Sequence, residues 1–267
     1  MTLAVCATPI GNLEDVTLRV LEALRAADLI LCEDTRRTRI LLARHGIKAR
    51  LSSYHAHNEA RRTAEVLPRL EAGETVALVS DAGMPGINDP GMRLVAAARD
   101  AGVPVTVLPG PSAVETALVA AGFEAERFQF LGYLPRGDRA LASLWAELAS
   151  SPHAAVAFES PQRLPAALRS LAASMPERPV AVCRELTKAF EEVVRGPALD
   201  VAARFDTPPK GEITLVLGPG RPLGFPEQEA VEAVAELVAA GVPRRSAADL
   251  VARLTGIARN RLYDRSL

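Results

Sequence analysis

Short apolar runs recur along the chain, each followed by a Gly/Pro/Asn/Asp turn and then by apolar residues at helical spacing. Residues 3–10 (LAVCATPI) predict a buried strand ending at Gly11-Asn12. Residues 15–27 predict a helix with Val16, Val20, Leu21 and Leu24 on one face. The cycle repeats with strands at 29–33, 76–80 and 103–109 and helices at 36–45, 59–72, 90–101 and 112–121. Gly73, Gly102 and Gly122 stand where helices stop. Such alternation, with strands apolar throughout, predicts a largely parallel sheet covered on both faces.

A second pattern begins after residues 128–134 (FQFLGYL). It predicts helices at 138–150 and 161–173 and strands at 154–158, 179–185, 191–196 and 212–218. Paired strands replace strict alternation, so the expected organisation is an α/β domain over 1–122 and an α+β domain over 123–219. A linker and basic helical tail fill 220–267, with the Pro/Gly-rich stretch 219–226 leading into three short helices.

Composition narrows the class only a little. At 267 residues, 49% hydrophobic and 24% charged, the chain can bury a full core and is not of the disordered type. No apolar run approaches the roughly 18 residues of a membrane span, and MTLAVCATPIGN has neither the basic nor the long apolar part of a signal peptide. Cys6, Cys32 and Cys183 are odd in number and set in apolar runs, as buried thiols in a reducing compartment would be. A net charge of −1 does not announce a nucleic-acid binder. Locally, however, 19–50 carries eight Lys/Arg against four acids, and 241–267 has six arginines against Asp249 and Asp264.

Three turns at strand ends have chemical content. Thr8-Pro9-Ile10-Gly11-Asn12 follows the first strand, where ligands of open α/β sheets bind, although no G-x-G-x-x-G is present. Residues 80–91 (SDAGMPGINDPG) form a loop longer than helix entry requires, with Asp89 as expected N-cap and Pro90 as first helical residue. In 109–115 (PGPSAVE), Ser112 and Glu115 have capping-box spacing. Helix initiation at Ser160-Pro161 equally explains part of 159–163 (ESPQR). His55 and His57 would share a face if extended, yet no third ligand lies nearby, so no metal is expected.

In order along the chain, ATPIGNLEDVTLRVLEAL, EDTRRT, SYHAHNE, VSDAGMPGINDPG, LPGPSA, FESPQR, CRELTK and KGEITLVLG resemble the RsmI-type members of the tetrapyrrole methylase superfamily. The likeness covers nearly the whole chain, helical tail included. It implies two α/β domains of the tetrapyrrole methylase type with S-adenosyl-L-methionine in the cleft between them, usually in a homodimer in the cytoplasm. It also implies methyl transfer to the 2′-oxygen of a cytidine in small-subunit (16S) rRNA near the decoding centre, with the assembled subunit or the rRNA as partner. The resemblance places Pro9, Ser80, Asp81, Ala82, Gly83, Met84, Pro85, Ser112 and Ala113 at the cofactor, with Phe158, Glu159 and Leu186 closing the cleft from the second domain. Tetrapyrrole relatives carry G-D-P where this chain has D-A-G, which leaves the role of Asp81 open.

Transfer to a hydroxyl needs alignment, exclusion of water and help for a weak nucleophile, but no metal. Asp34, Glu59 and Glu185 are the candidate bases. Arg36, Arg184, Lys188 and Lys210 are candidate cations for phosphate or developing alkoxide. Arg36, Arg37, Arg39, Arg244, Arg245, Arg259 and Arg261 are the candidate RNA contacts. A methyltransferase of the same fold acting on a tetrapyrrole precursor or on a diphthamide intermediate is the alternative enzyme. A non-catalytic rRNA-docked assembly factor is the alternative outside catalysis.

Overall fold

The computed structural model describes residues 2–220 and 226–266. The expected linker at 219–226 falls mainly on 221–225, outside the described residues. The first sheet contains β1 (Leu3–Cys6), β2 (Leu29–Cys32), β3 (Leu51–Ser53), β4 (Val76–Val79) and β5 (Val105–Leu108) in the order β3-β2-β4-β1-β5, with every pair parallel. Side chains alternate across it as the pleat requires. Leu3, Val5, Leu29, Leu31, Val76 and Leu78 pack against α3 (Glu59–Glu71) and α4 (Met92–Asp100). Ala4, Cys6, Ile30, Cys32, Ala77 and Val79 face the opposite way, onto α1 (Leu18–Ala26) and α2 (Thr35–Arg44).

The second sheet has the order β6-β7-β10-β8-β9, formed by β6 (Phe128–Tyr133), β7 (Ala154–Glu159), β8 (Pro179–Arg184), β9 (Glu192–Pro197) and β10 (Ile213–Leu217). Only β6 and β7 run parallel; the remaining pairs are antiparallel. One face is covered by α6 (Asp138–Ala149), α7 (Leu164–Ser174) and α8 (Ala198–Arg204), with Trp145 fully buried at the centre. The other face is covered by α5 (Ala113–Ala121) of the first half. Val114, Ala117 and Ala121 meet Val156, Ala181, Cys183 and Val216 there, and Ile10 and Leu186 join the same cluster.

Four helix entries differ from expectation. A short 3₁₀ turn at Leu13–Asp15, capped by the Asn12 side chain, precedes α1, and the Thr17 hydroxyl caps α1 through Val20 N. Helix α4 starts at Met92 after Gly91, whose φ of 150° turns the chain and leaves Asp89 free of any capping role. Helix α7 starts at Leu164, with the Ser160 carbonyl accepting from Arg163 N and Leu164 N while its hydroxyl caps nothing. Ser112 is the N-cap of α5, but its hydroxyl bonds the Glu115 carboxylate instead of the backbone, so no capping box forms.

The tail has its own core. Helices α9 (Glu227–Ala239), α10 (Arg244–Thr255) and α11 (Arg259–Arg265) bury Ala230, Val234, Ala247, Ala248, Val251 and Leu262 among themselves. Among the described residues no helix is long and apolar enough to cross a membrane.

Candidate active site

The loops after β1, β4 and β5 leave three adjacent strands at their carboxyl ends, where open α/β sheets hold ligands. The first two are zipped together. Thr8 N donates to Gly83 O (2.9 Å), Gly83 N donates to Thr8 O (3.0 Å), and the Thr8 hydroxyl donates to Ser80 O (3.1 Å). Gly83 makes this bridge at φ +75°, a conformation that disfavours a side chain. Facing these loops are Tyr133 at the end of β6, 158–161 at the end of β7 and 211–214 at the start of β10. Together they enclose a cleft of about 370 Å³, within the range of small-molecule sites.

The cleft has an apolar wall and a strongly anionic end. Ile10, Ala82, Gly83, Ala113, Val114 and Phe158 line the wall, and Phe158 is held edge-on by Phe130 (5.1 Å) and Tyr133 (5.6 Å). Glu159 has a fully buried side chain. Its Oε1 accepts from Ser160 N (2.7 Å), whereas Oε2 has Arg163 at 3.2 Å but no hydrogen-bond partner. The Arg163 fork donates instead to Leu134 O and Pro135 O. Burial pushes the Glu159 carboxyl up despite its hydrogen bond to Ser160 and the nearby arginines. The Oε2 atom is thus held by the Arg163 charge rather than by a hydrogen bond.

Asp89 lines the same cleft, released from the capping role that the sequence suggested. Burial pushes its carboxyl up to about 6, helped by the charges of Glu33 and Asp81 and opposed by the Ser80 hydroxyl. Asp81 is fixed by Asp34 N (2.9 Å) and lies 3.6 Å from Arg37 Nε.

A second cavity of about 250 Å³ adjoins the first and shares Ile10, Arg37, Asp81, Ala82 and Glu212 with it. Its remaining walls include Pro9, Gly11 and Leu13, Thr38, Ile40 and Leu41 of α2, and Lys188 of the second domain. Burial works against the Lys188 charge, but bonds to Glu185 (2.7 Å) and Glu212 (2.9 Å) outweigh it and raise the pKa. The loop bearing Lys188 is strained, with Glu185 at φ 52° and Thr187 at φ 66°, a value rare for a β-branched residue. Asn12 N donates to Thr187 Oγ1 (2.9 Å), and a Cβ on Gly11 would stand 2.6 Å from Lys188 Cγ and 2.7 Å from Thr187 Oγ1. The two halves thus interlock beside the cavity.

The residues expected at the cofactor divide between these spaces. Asp81, Ala82, Gly83, Met84, Ser112, Ala113, Phe158 and Glu159 line the larger cleft, while Pro9 and Ser80 line the smaller. Pro85 and Leu186 line neither: both are buried, Leu186 in the cluster between the domains. Of the expected catalytic residues, only Lys188 lines a cavity. Asp34 caps α2 and is held down to about 2 by hydrogen bonds from the Arg36 side chain and backbone, which suits it poorly to be a base. Glu59 lies 3.5 Å from Arg93, and Glu185 is lowered by its bond from Lys188.

Among the expected RNA contacts, Arg36, Arg37 and Arg39 are exposed on α2, and Arg245 is exposed on α10. The others bind within the tail. Arg244 stacks 4.5 Å over Tyr263, Arg259 lies 3.5 Å from Asp249, and Arg261 pairs with Glu227 at 2.8 Å. Arg184 pairs with Glu192 (3.0 Å). The three cysteines are buried, with burial pushing the Cys6 and Cys183 thiols up to about 12. His55 and His57 have ring centres 6.0 Å apart, and among the described residues no three His, Cys, Asp or Glu side chains gather as a metal site. Sequence reasoning missed Ile10, Asn88, Asp89, Tyr133, Glu212 and Thr214 as cleft residues.

Comparison with known proteins gives one family for the main body of the chain and one for its tail. The profile of the tetrapyrrole (corrin/porphyrin) methylases matches residues 2–202, and that of the RsmI C-terminal HTH domain matches 226–267. A protein named ribosomal RNA small subunit methyltransferase I from Mesorhizobium japonicum is 43% identical over 266 residues, 98% of this chain and 90% of its own. Another of that name, from Thermotoga maritima, is 45% identical over 216 residues, 80% of this chain and 97% of its own. The fold is shared with uroporphyrin-III C-methyl transferase from Thermus thermophilus, solved with S-adenyl homocysteine. That match has a TM-score of 0.57 at 19% identity, over 82% of this chain and 97% of that one. The chain therefore belongs to the tetrapyrrole methylase family, and within it to the RsmI type.

Proposed function

We propose that this chain uses S-adenosylmethionine to methylate small-subunit ribosomal RNA, at the 2′-oxygen of a cytidine near the decoding centre. The observation that carries the cofactor is the cleft itself. Small residues at 82, 83 and 113 leave room for a flat ring beside the apolar wall, and Asp81 and Asp89 line the same cleft as acceptors for an amine or ribose hydroxyl. The solved relative with S-adenyl homocysteine and the names of the sequence relatives support the same reading.

When bound, the sulfonium supplies an electrophilic methyl group. The chain's own residues then align and desolvate the acceptor. Asp89 is a cleft carboxylate whose proton affinity burial and the charges of Glu33 and Asp81 raise to about 6, with Tyr133 also close to it. It is the group suited to take the hydroxyl proton. Exposed arginines on α2 suit a polyanionic acceptor.

The test is methyl transfer from labelled S-adenosylmethionine to unmodified small subunits, with naked 16S rRNA and a porphyrinogen in parallel and the product mapped by mass spectrometry. A single 2′-O-methylcytidine is expected. Label on the porphyrinogen alone overturns the RNA substrate, and absence of label in every arm overturns the enzymatic reading.

A further inference from the structure

The smaller cavity differs in chemistry from the larger cleft. Its walls combine the apolar residues Pro9, Leu13, Ile40 and Leu41 with the cations Arg37 and Lys188. Ile40 is the anomaly. It remains 60% exposed on a helix whose other exposed residues are Arg36, Arg37, Arg39, Ala43 and Arg44. An isolated exposed aliphatic side chain needs no explanation. One that shares a cavity wall with a cation suits a ligand that has both an apolar face and an anionic group.

The two cations are not equivalent. Lys188 is neutralised by Glu185 and Glu212 and serves as a fixed roof. Arg37 has only a loose contact with Asp81, at 3.6 Å, so most of its fork is available for an anion. Arg37 and Asp81 also stand in the wall common to both cavities. A group seated in the smaller space therefore meets the contents of the larger one at that wall, where an acceptor and a methyl group would have to meet.

We propose that the smaller cavity seats the acceptor nucleotide, its base against Ile40, Leu41 and Leu13 and its backbone phosphate on Arg37. This rests on the methyltransferase reading given above and adds the acceptor's place. A cavity of about 250 Å³ is large enough for one pyrimidine nucleoside. A nucleotide swung out of its strand also exposes the flat face and the sugar edge that these walls fit.

Ile40→Glu tests the assignment, because the position is exposed enough to accept the change without loss of fold and touches the smaller cavity alone. The wild type and variant are compared for KM toward unmodified small subunits, for S-adenosylmethionine affinity by calorimetry, and for melting temperature. The expected result is a KM raised tenfold or more, with cofactor affinity within twofold and melting unchanged. Ile40→Val, which keeps an apolar β-branched side chain at the wall, should retain the wild-type KM, and a rise equal to that of Ile40→Glu overturns the apolar contact. An unchanged KM for Ile40→Glu, in an enzyme that still methylates subunits, overturns the acceptor site and leaves the methyltransferase reading intact. Failure of the wild type to bind S-adenosylmethionine or to methylate subunits overturns that reading first. A KM effect seen only with a porphyrinogen overturns the nucleotide as occupant.

Discussion

Replacing Asp89 by asparagine should make the protein more stable and less active at once. The carboxyl is raised from 3.8 to about 6 in the folded state because burial and the charges of Glu33 and Asp81 disfavour its ionised form. Between those two values the folded chain holds a proton that the unfolded chain has released. Stability therefore falls as pH rises through this window, and the full penalty stands above about pH 6. Taken at face value the rise converts to ~3 kcal/mol, and partial contact with water at the cleft reduces this to about 1–2 kcal/mol. The asparagine variant should then melt roughly 2–8 °C higher at pH 8 in a chain of this size, with the gap closing toward pH 4. If Asp89 takes the hydroxyl proton, the variant should also lose ~10²–10⁴-fold in kcat. The wild-type rate should rise with pH through a limb near 6 that the variant lacks. Calorimetry at pH 5 and 8, with single-turnover methylation across the same range, reads both. A variant no more stable at pH 8 than the wild type refutes the electrostatic argument, and an intact limb refutes the catalytic one.

Other positions give independent expectations. Glu159→Gln keeps the shape of the cleft but removes the carboxylate charge that faces Arg163. S-adenosylmethionine affinity measured by calorimetry should fall about 10-fold or more, the loss of a charge-assisted hydrogen bond. Gly11→Ala places a methyl group against Lys188 Cγ, Thr187 Oγ1 and the Leu186 carbonyl (2.6–2.8 Å). It should lower stability by roughly 1–3 kcal/mol in denaturant titration. Truncation after Gly220 removes three helices that bury their own core. It should weaken binding to small subunits in sedimentation assays while leaving cofactor affinity unchanged; loss of both would mean that the tail supports the fold of the rest.

Strands β1, β2 and β4 were legible because they are buried on both faces, so LAVC, LILC and VALV read as continuous apolar runs, and β10 is as buried with Thr214 its one polar residue. β3 was not, since its three half-buried residues Leu-Ser-Ser carry no alternation to detect. α8 escaped for a related reason: seven residues with Ala198, Val201 and Ala202 inward are too short to show a period. In the candidate site, the expected loops did converge, but local rules hid the most interesting carboxylate. Asp89 before Pro90 satisfies every sequence criterion for a helix cap, and only the turn at Gly91 shows that the helix begins later. Asp34 shows the reverse error. A charge-rich EDTRRT segment suggested a base, and the carboxylate is occupied by Arg36 and the first turn of α2.

The packing of α5 onto the second sheet bears on how the chain is made. Helix α5 is complete when Ala121 has been added, but Val156, Ala181, Cys183 and Val216, which cover Val114, Ala117 and Ala121, come later. The last of these strands ends at Leu217, about 95 residues further on. At roughly 5–20 residues per second, the nascent first half waits some 5–20 s with an apolar helix face uncovered. During synthesis this face is the molecule's exposed liability and the place where a chaperone would be expected to hold it.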